Sequence, residues 1–91
     1  MLYDITTTNK FRRSMKRLRF FKKKYEKIQN VIKILETGEV LSQKYKDHRL
    51  HGNMNIYREL HIEPNLLLVY ERDLTEKLIT LINIGSHAEL F

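Results

Sequence analysis

The run Leu66-Leu67-Leu68-Val69-Tyr70 constrains this chain more than any other stretch. An unbroken apolar run, bounded by Glu63-Pro64-Asn65 on one side and by a second turn over Asp73 to Glu76 on the other, reads as a central strand. Before it, residues 54–62 follow a period of two. Met54, Ile56, Arg58, Leu60 and Ile62 fall on one face, and Asn55, Tyr57, Glu59 and His61 on the other. After it, Leu78 to Ile84 forms a further strand that Gly85 ends, with a tail closing on Leu90 and Phe91. Leu2 to Thr6 alternates as a short strand at the start. The expected sheet has three or four strands, mostly antiparallel.

Helical periods fill the rest of the amino-terminal half. Thr6, Thr7 and Thr8 offer an N-cap, after which Phe11, Met15 and Leu18 recur at i, i+4 and i+7 with Lys10, Arg12, Arg13, Lys16, Arg17 and Arg19 around them. A second stripe, Tyr25, Ile28, Val31, Ile32 and Leu35, ends at Gly38, a left-handed C-cap residue. Between the stripes there is neither Gly nor Pro, while Lys22, Lys23 and Lys24 repel one another along any continuous face. A basic helical hairpin is predicted, with a bent single helix as the alternative. Glu39 to Asn53 then reads as an ordered loop anchored by Leu41, Tyr45 and Leu50. Helices on one face of a small, mostly antiparallel sheet make an α+β domain, and no repeat or linker divides residues 1–91.

Charge is distributed unevenly. Residues 1–38 carry eleven Lys or Arg against three acids, whereas residues 39–91 carry six against eight. One half is a polycation, suited to phosphate backbones or to an acidic protein partner. With no cysteine there is neither a disulfide framework nor a thiolate metal site, and no apolar stretch approaches the roughly 18 residues that span a bilayer. A cytoplasmic protein with no membrane partner is expected.

Chemistry concentrates between Tyr45 and Asn65, which hold His48, His51 and His61 among Lys44, Lys46, Arg49 and Arg58. Groups that exchange protons near neutrality, set among fixed cations, are what handling a phosphodiester requires. The fourth histidine, His87, lies in the tail, where a terminal segment can fold back over the same place. A metal cluster of these histidines is the weaker reading, because no ligand signature accompanies them, so neither metal nor cofactor is expected.

Several blocks in order, Tyr45-Lys46-Asp47-His48, Leu50 and Gly52, Tyr57-Arg58-Glu59 with His61-Ile62-Glu63-Pro64, Leu67 to Tyr70, Gly85-Ser86-His87 and Leu90-Phe91, resemble the YafQ-type toxins of the RelE/ParE superfamily. The resemblance covers nearly the whole chain and implies a RelE-like fold. It also implies the toxin of a type II toxin–antitoxin pair, an endoribonuclease that cuts messenger RNA on the ribosome without a cofactor. A cognate antitoxin holds such a toxin inactive, and operator DNA is reached only through that complex. The family's catalytic positions fall on His48, His61 and His87, with the terminal Phe91 against the substrate. Three positions depart from the pattern: Asn65 and Leu66 stand where the family has Asp-Trp, and Asn83 where it has Arg. Asn65 and Asn83 are therefore expected at the substrate rather than in proton transfer. Arg49 or Arg58 is expected to supply the phosphate cation, Lys46 is expected at the substrate beside them, and Tyr57, Tyr70 or Phe91 is expected to supply the stacking ring. His51, without a family counterpart, reads as a surface residue. Two alternatives share the superfamily: a weakly cleaving protein that acts through antitoxin binding and operon repression, and a ParE-like gyrase inhibitor, which has no use for proton-transfer groups.

Overall fold

Thr8 starts the helical layer as the sequence predicts. Its backbone is extended, and its hydroxyl accepts from the Phe11 N–H at 3.0 Å and donates to the Ile82 carbonyl at 2.6 Å. One side chain thus caps α1 (Asn9–Leu18) and ties it to the sheet. Phe11 is buried, Met15 and Leu18 pack against the core, and the Arg and Lys side chains point outward. The chain breaks over residues 19–21 and resumes as α2 (Lys22–Thr37), so the hairpin is correct and the bent single helix is not. Buried Ile28, Val31 and Leu35 line its inner face, and Gly38 ends it at φ 77°, a conformation that costs glycine nothing.

This computed structural model describes residues 2–91. Five strands follow from the pairing: β1 (Asp4–Thr7), β2 (His48–Arg49), β3 (Arg58–Glu63), β4 (Leu66–Asp73) and β5 (Leu78–Gly85), in the order β1-β5-β4-β3-β2. The apolar run lies at the centre. Leu66, Leu68 and Tyr70 face the helices together with Leu60, Ile62, Ile79, Leu81 and Ile84, while Leu67 and Val69 are buried toward the opposite face. Each such side chain contributes about 1.5–3 kcal/mol by leaving water, so the layer between the sheet and the two helices holds most of the apolar burial.

Five expectations need correction. The sheet has five strands rather than three or four; it is mostly antiparallel as expected, with β1 joining β5 in parallel. That first strand is also displaced, to Asp4–Thr7 from Leu2–Thr6. Residues 54–57 are not strand, since Gly52 at φ 66° opens a 3-10 turn over Gly52–Met54. The Asn55 and Tyr57 N–H groups then donate to Gly52 and Met54 carbonyls within the turn, leaving Met54 and Ile56 exposed. The loop after Gly38 holds a second 3-10 turn, Gln43–Tyr45, and the edge strand β2. Finally, the tail is helical: Ser86 and Glu89 form a capping box at the start of α3 (His87–Leu90).

Gly85 matters for space. A Cβ there would stand 2.9 Å from Glu89 Oε1, the carboxylate that accepts from the Ser86 N–H at 2.7 Å. Gly85→Ala is expected to push that carboxylate off its donor and cost about 1 kcal/mol, as loss of a cap does. Hydrogen exchange should quicken in residues 86–91 while β4 and β5 stay protected.

Candidate active site

β2 is only two residues long, yet its pairing decides where the chemistry sits. His48 lies opposite Glu59 on β3, and His61 follows Glu59 at the next position on the same face. Glu59 Oε1 consequently stands 3.6 Å from His48 Nε2 and 3.5 Å from His61 Nε2, and the two rings are 6.5 Å apart. Side-chain exposure is 7% for Glu59, 25% for His61 and 46% for His48, so a buried carboxylate supports two imidazoles that solvent reaches. His48 Nδ1 lies 2.6 Å from the Lys46 carbonyl. A carbonyl only accepts, so Nδ1 carries the hydrogen, and Nε2 is left on the side of Glu59. Lys46 presents that carbonyl from a left-handed conformation, φ 50°, unusual for a residue with a Cβ and of the kind retained at functional sites.

The floor of the site is apolar. Val69 pairs with Glu59 on one side and Asn83 on the other, and Leu67 with His61 and Gly85. β4 and β5 skip Ile82 to bring Asn83 opposite Val69, where its Oδ1 accepts from the Ile84 N–H at 2.9 Å. Two strand spacings, about 10 Å, therefore separate His61 from Gly85. Two residues beyond Gly85, His87 opens α3, and its ring lies 5.3 Å from that of Phe91, one helical turn on. Asn65, in the turn between β3 and β4, accepts from the His87 N–H at 3.1 Å and so fastens α3 to the sheet.

Asp47 ties the loop to the strands. Its carboxylate accepts from Arg58 Nη2 at 2.9 Å and Nε at 3.3 Å, and from the Tyr70 hydroxyl at 2.5 Å. Arg58 is thereby committed to Asp47, whose carboxylate holds its guanidinium above the ordinary arginine value. Tyr70 is wholly buried, which removes it as a stacking ring, and burial followed by the Asp47 bond pushes its phenol well above the ordinary tyrosine value. On α3, the Ser86 backbone and side-chain bonds hold the Glu89 carboxyl below the ordinary carboxylate value.

The structure thus gathers His48 and His61 into one cluster and His87 and Phe91 into a second at the same end of the sheet. Arg49 is exposed and lines a different groove, beside Asn55, Ile56 and Glu71. His51 is exposed next to the Gly52 turn, as read. Glu59 was missed as a site residue although the period of two places it on the face of His61; its cross-strand partner His48 could not be read without the register. Among the described residues no group of three or more His, Asp or Glu is arranged to hold a metal ion.

Asp47→Ala should cost about 2–4 kcal/mol, since it leaves a buried phenol and a partly buried guanidinium unpaired. Urea melts of the variant and of Tyr70→Phe would measure it, with the smaller loss in the latter. A phenol whose folded value is raised stabilises the fold below its unfolded value, and that contribution is lost as pH rises through the folded value. Ultraviolet titration of the native protein should accordingly leave one tyrosine neutral above pH 10 until unfolding, and Tyr70→Phe should abolish that late step.

The family model described as a bacterial toxin of type II toxin–antitoxin system, YafQ, matches residues 3–91. The mRNA interferase toxin YafQ of Escherichia coli K12 is 33% identical over 89 residues, which are 97% of this chain and 95% of that protein. Among solved structures, a metal-bound toxin from Helicobacter pylori is 40% identical with a TM-score of 0.88 and full coverage of both chains. A chain of the E. coli DinJ–YafQ toxin–antitoxin complex is 32% identical with a TM-score of 0.86, covering 100% of this chain and 99% of that one. Matched end to end by that family model, with a relative and two folds agreeing in sequence and shape, the chain belongs to the YafQ family of bacterial type II toxin–antitoxin toxins.

Proposed function

We propose that this toxin is a ribosome-dependent endoribonuclease that cuts messenger RNA by acid–base chemistry, with His48, His61 and His87 as the proton-transfer groups. The carrying observation is the pair of imidazoles held over Glu59, with a third histidine presented across the central strand. Cleavage through the ribose 2′-hydroxyl needs a base at that hydroxyl and an acid at the departing 5′-oxygen. In-line displacement sets the two on opposite sides of the phosphorus. A phosphodiester lying over Leu67 would have the His48–His61 pair on one side and His87 on the other. Correctly placed proton transfer is worth roughly 10²–10⁴-fold in rate.

Glu59 orients both imidazoles and offsets the charge either one acquires. The Lys46 ammonium is the phosphate cation in this reading, because Arg58 is held by Asp47 and Arg49 lies in another groove. Phe91, half-exposed beside His87, offers its ring to a nucleobase. Asn65 and Asn83 act on position, the former by holding the His87 backbone. The basic outer faces of α1 and α2 suit ribosomal RNA, and the same charge suits an acidic antitoxin; the E. coli relative forms a complex with its antitoxin DinJ.

Primer extension on a defined message in a reconstituted translation system tests this. Native protein should give cuts that require ribosomes, and His61→Ala and His87→Ala should each lower the rate about 10²-fold or more. Equal cleavage by folded histidine variants would overturn the assignment. Absence of cuts from folded, antitoxin-free protein would overturn the nuclease reading itself.

A further inference from the structure

β2 covers only Arg58 and Glu59, so among the described residues that edge of β3 from Leu60 to Glu63 has no strand partner. There the structure opens a cleft of about 450 Å³ between α2, residues 44–46 and the end of β3, within the range of sites that take small ligands. His61 lines its mouth, so the cleft and the imidazole pair share a wall. Its floor is apolar, formed by Val31, Ile62 and the body of Tyr45. Around that floor stand three ammonium groups, Lys27, Lys44 and Lys46, against one carboxylate, Glu63, which Lys27 meets at 2.9 Å. The Lys44 ammonium lies 5.1 Å from the centre of the Tyr45 ring, and the Asn30 carboxamide adds a group that can both donate and accept.

We propose that this cleft is a nucleotide subsite, holding the message nucleotide next to the scissile phosphate, with its base near Tyr45 and Asn30 and its phosphate among the lysines. The inference rests on the nuclease reading. An aromatic ring, an amide and cations around an apolar floor are the groups that recognise single-stranded RNA. Charge alone would equally suit an acidic peptide. RNA is favoured because His61 belongs to both the imidazole pair and the cleft: a strand whose phosphate sits at the imidazoles reaches the cleft by passing the free edge of β3 at His61.

The test is single-turnover cleavage in ribosomes programmed with defined messages, comparing native protein with Asn30→Ala/Lys44→Ala. Both residues are exposed, so the variant keeps its core. It should need about five- to tenfold more protein for half-maximal rate while its maximal rate stays within about twofold. Messages carrying an abasic nucleotide immediately 5′ or 3′ of the cut identify the occupant: with one of them, native and variant should become equal. A defect that persists on both would place the lost contacts on the ribosome, and no defect at all would leave the cleft unused. Either result overturns the subsite. Unchanged cleavage with weakened antitoxin binding would assign the cleft to the protein partner instead. Native protein and His61→Ala serve as the separate controls: no cuts from the native protein would bring down the nuclease reading on which the subsite depends, and full activity of His61→Ala only the histidine assignment.

Discussion

A strand buried on both faces must be enclosed on both, and β4 imposes that demand on the rest of the chain. On the helical side the demand is met by α1 and α2, whose inner faces cover Leu66, Leu68 and Tyr70. On the other side, Leu67 and Val69 stand outside that helix-facing cluster. They are covered there by their neighbours on β3 and β5. The residues that shield this second face are therefore the ones that stand over it, Glu59 and His61 among them. Burial and chemistry are two results of one packing problem.

Polar groups are buried only where a partner meets them. Tyr70 brings a hydroxyl into the core and Arg58 a guanidinium to its edge, and Asp47 answers both. Leaving either unpaired would cost a few kcal/mol, a large part of the net stability of a domain this size. The same carboxylate fixes the chain immediately before His48, whose Nδ1 donates to the neighbouring Lys46 carbonyl. Asn65 plays the corresponding part for His87. In both cases a residue near a histidine restrains the backbone that presents it, which matters because catalytic geometry tolerates little freedom.

Local signals carried far where they were strong. Thr8, Gly38 and the apolar stripes located both helices, and the 66–70 run located the centre of the sheet. Weak signals misled: the alternation at Met54 and Ile56 looked like strand, yet Gly52 commits the backbone to a turn before any ladder can form. Parallel pairing of β1 with β5 joins the two ends of the fold, and a property of two distant segments leaves no trace in either. Arg58 illustrates the same limit within the site, because its closeness to the histidines in sequence suggested a phosphate ligand, whereas the fold turns it to Asp47.

The sequence by itself determined which residues can move protons, the location of the cationic half, the start of α1, the end of α2 and the central strand, because these depend on residue type and on short periods. Blocks spread along the chain were enough to carry its family. Tertiary structure alone decided that Glu59 sits between His48 and His61, that α3 stands across β4 from them, and that a cationic cleft opens beside His61. Each of these rests on register or on the packing of distant segments, where a shift of a single residue would turn the side chains to the other face.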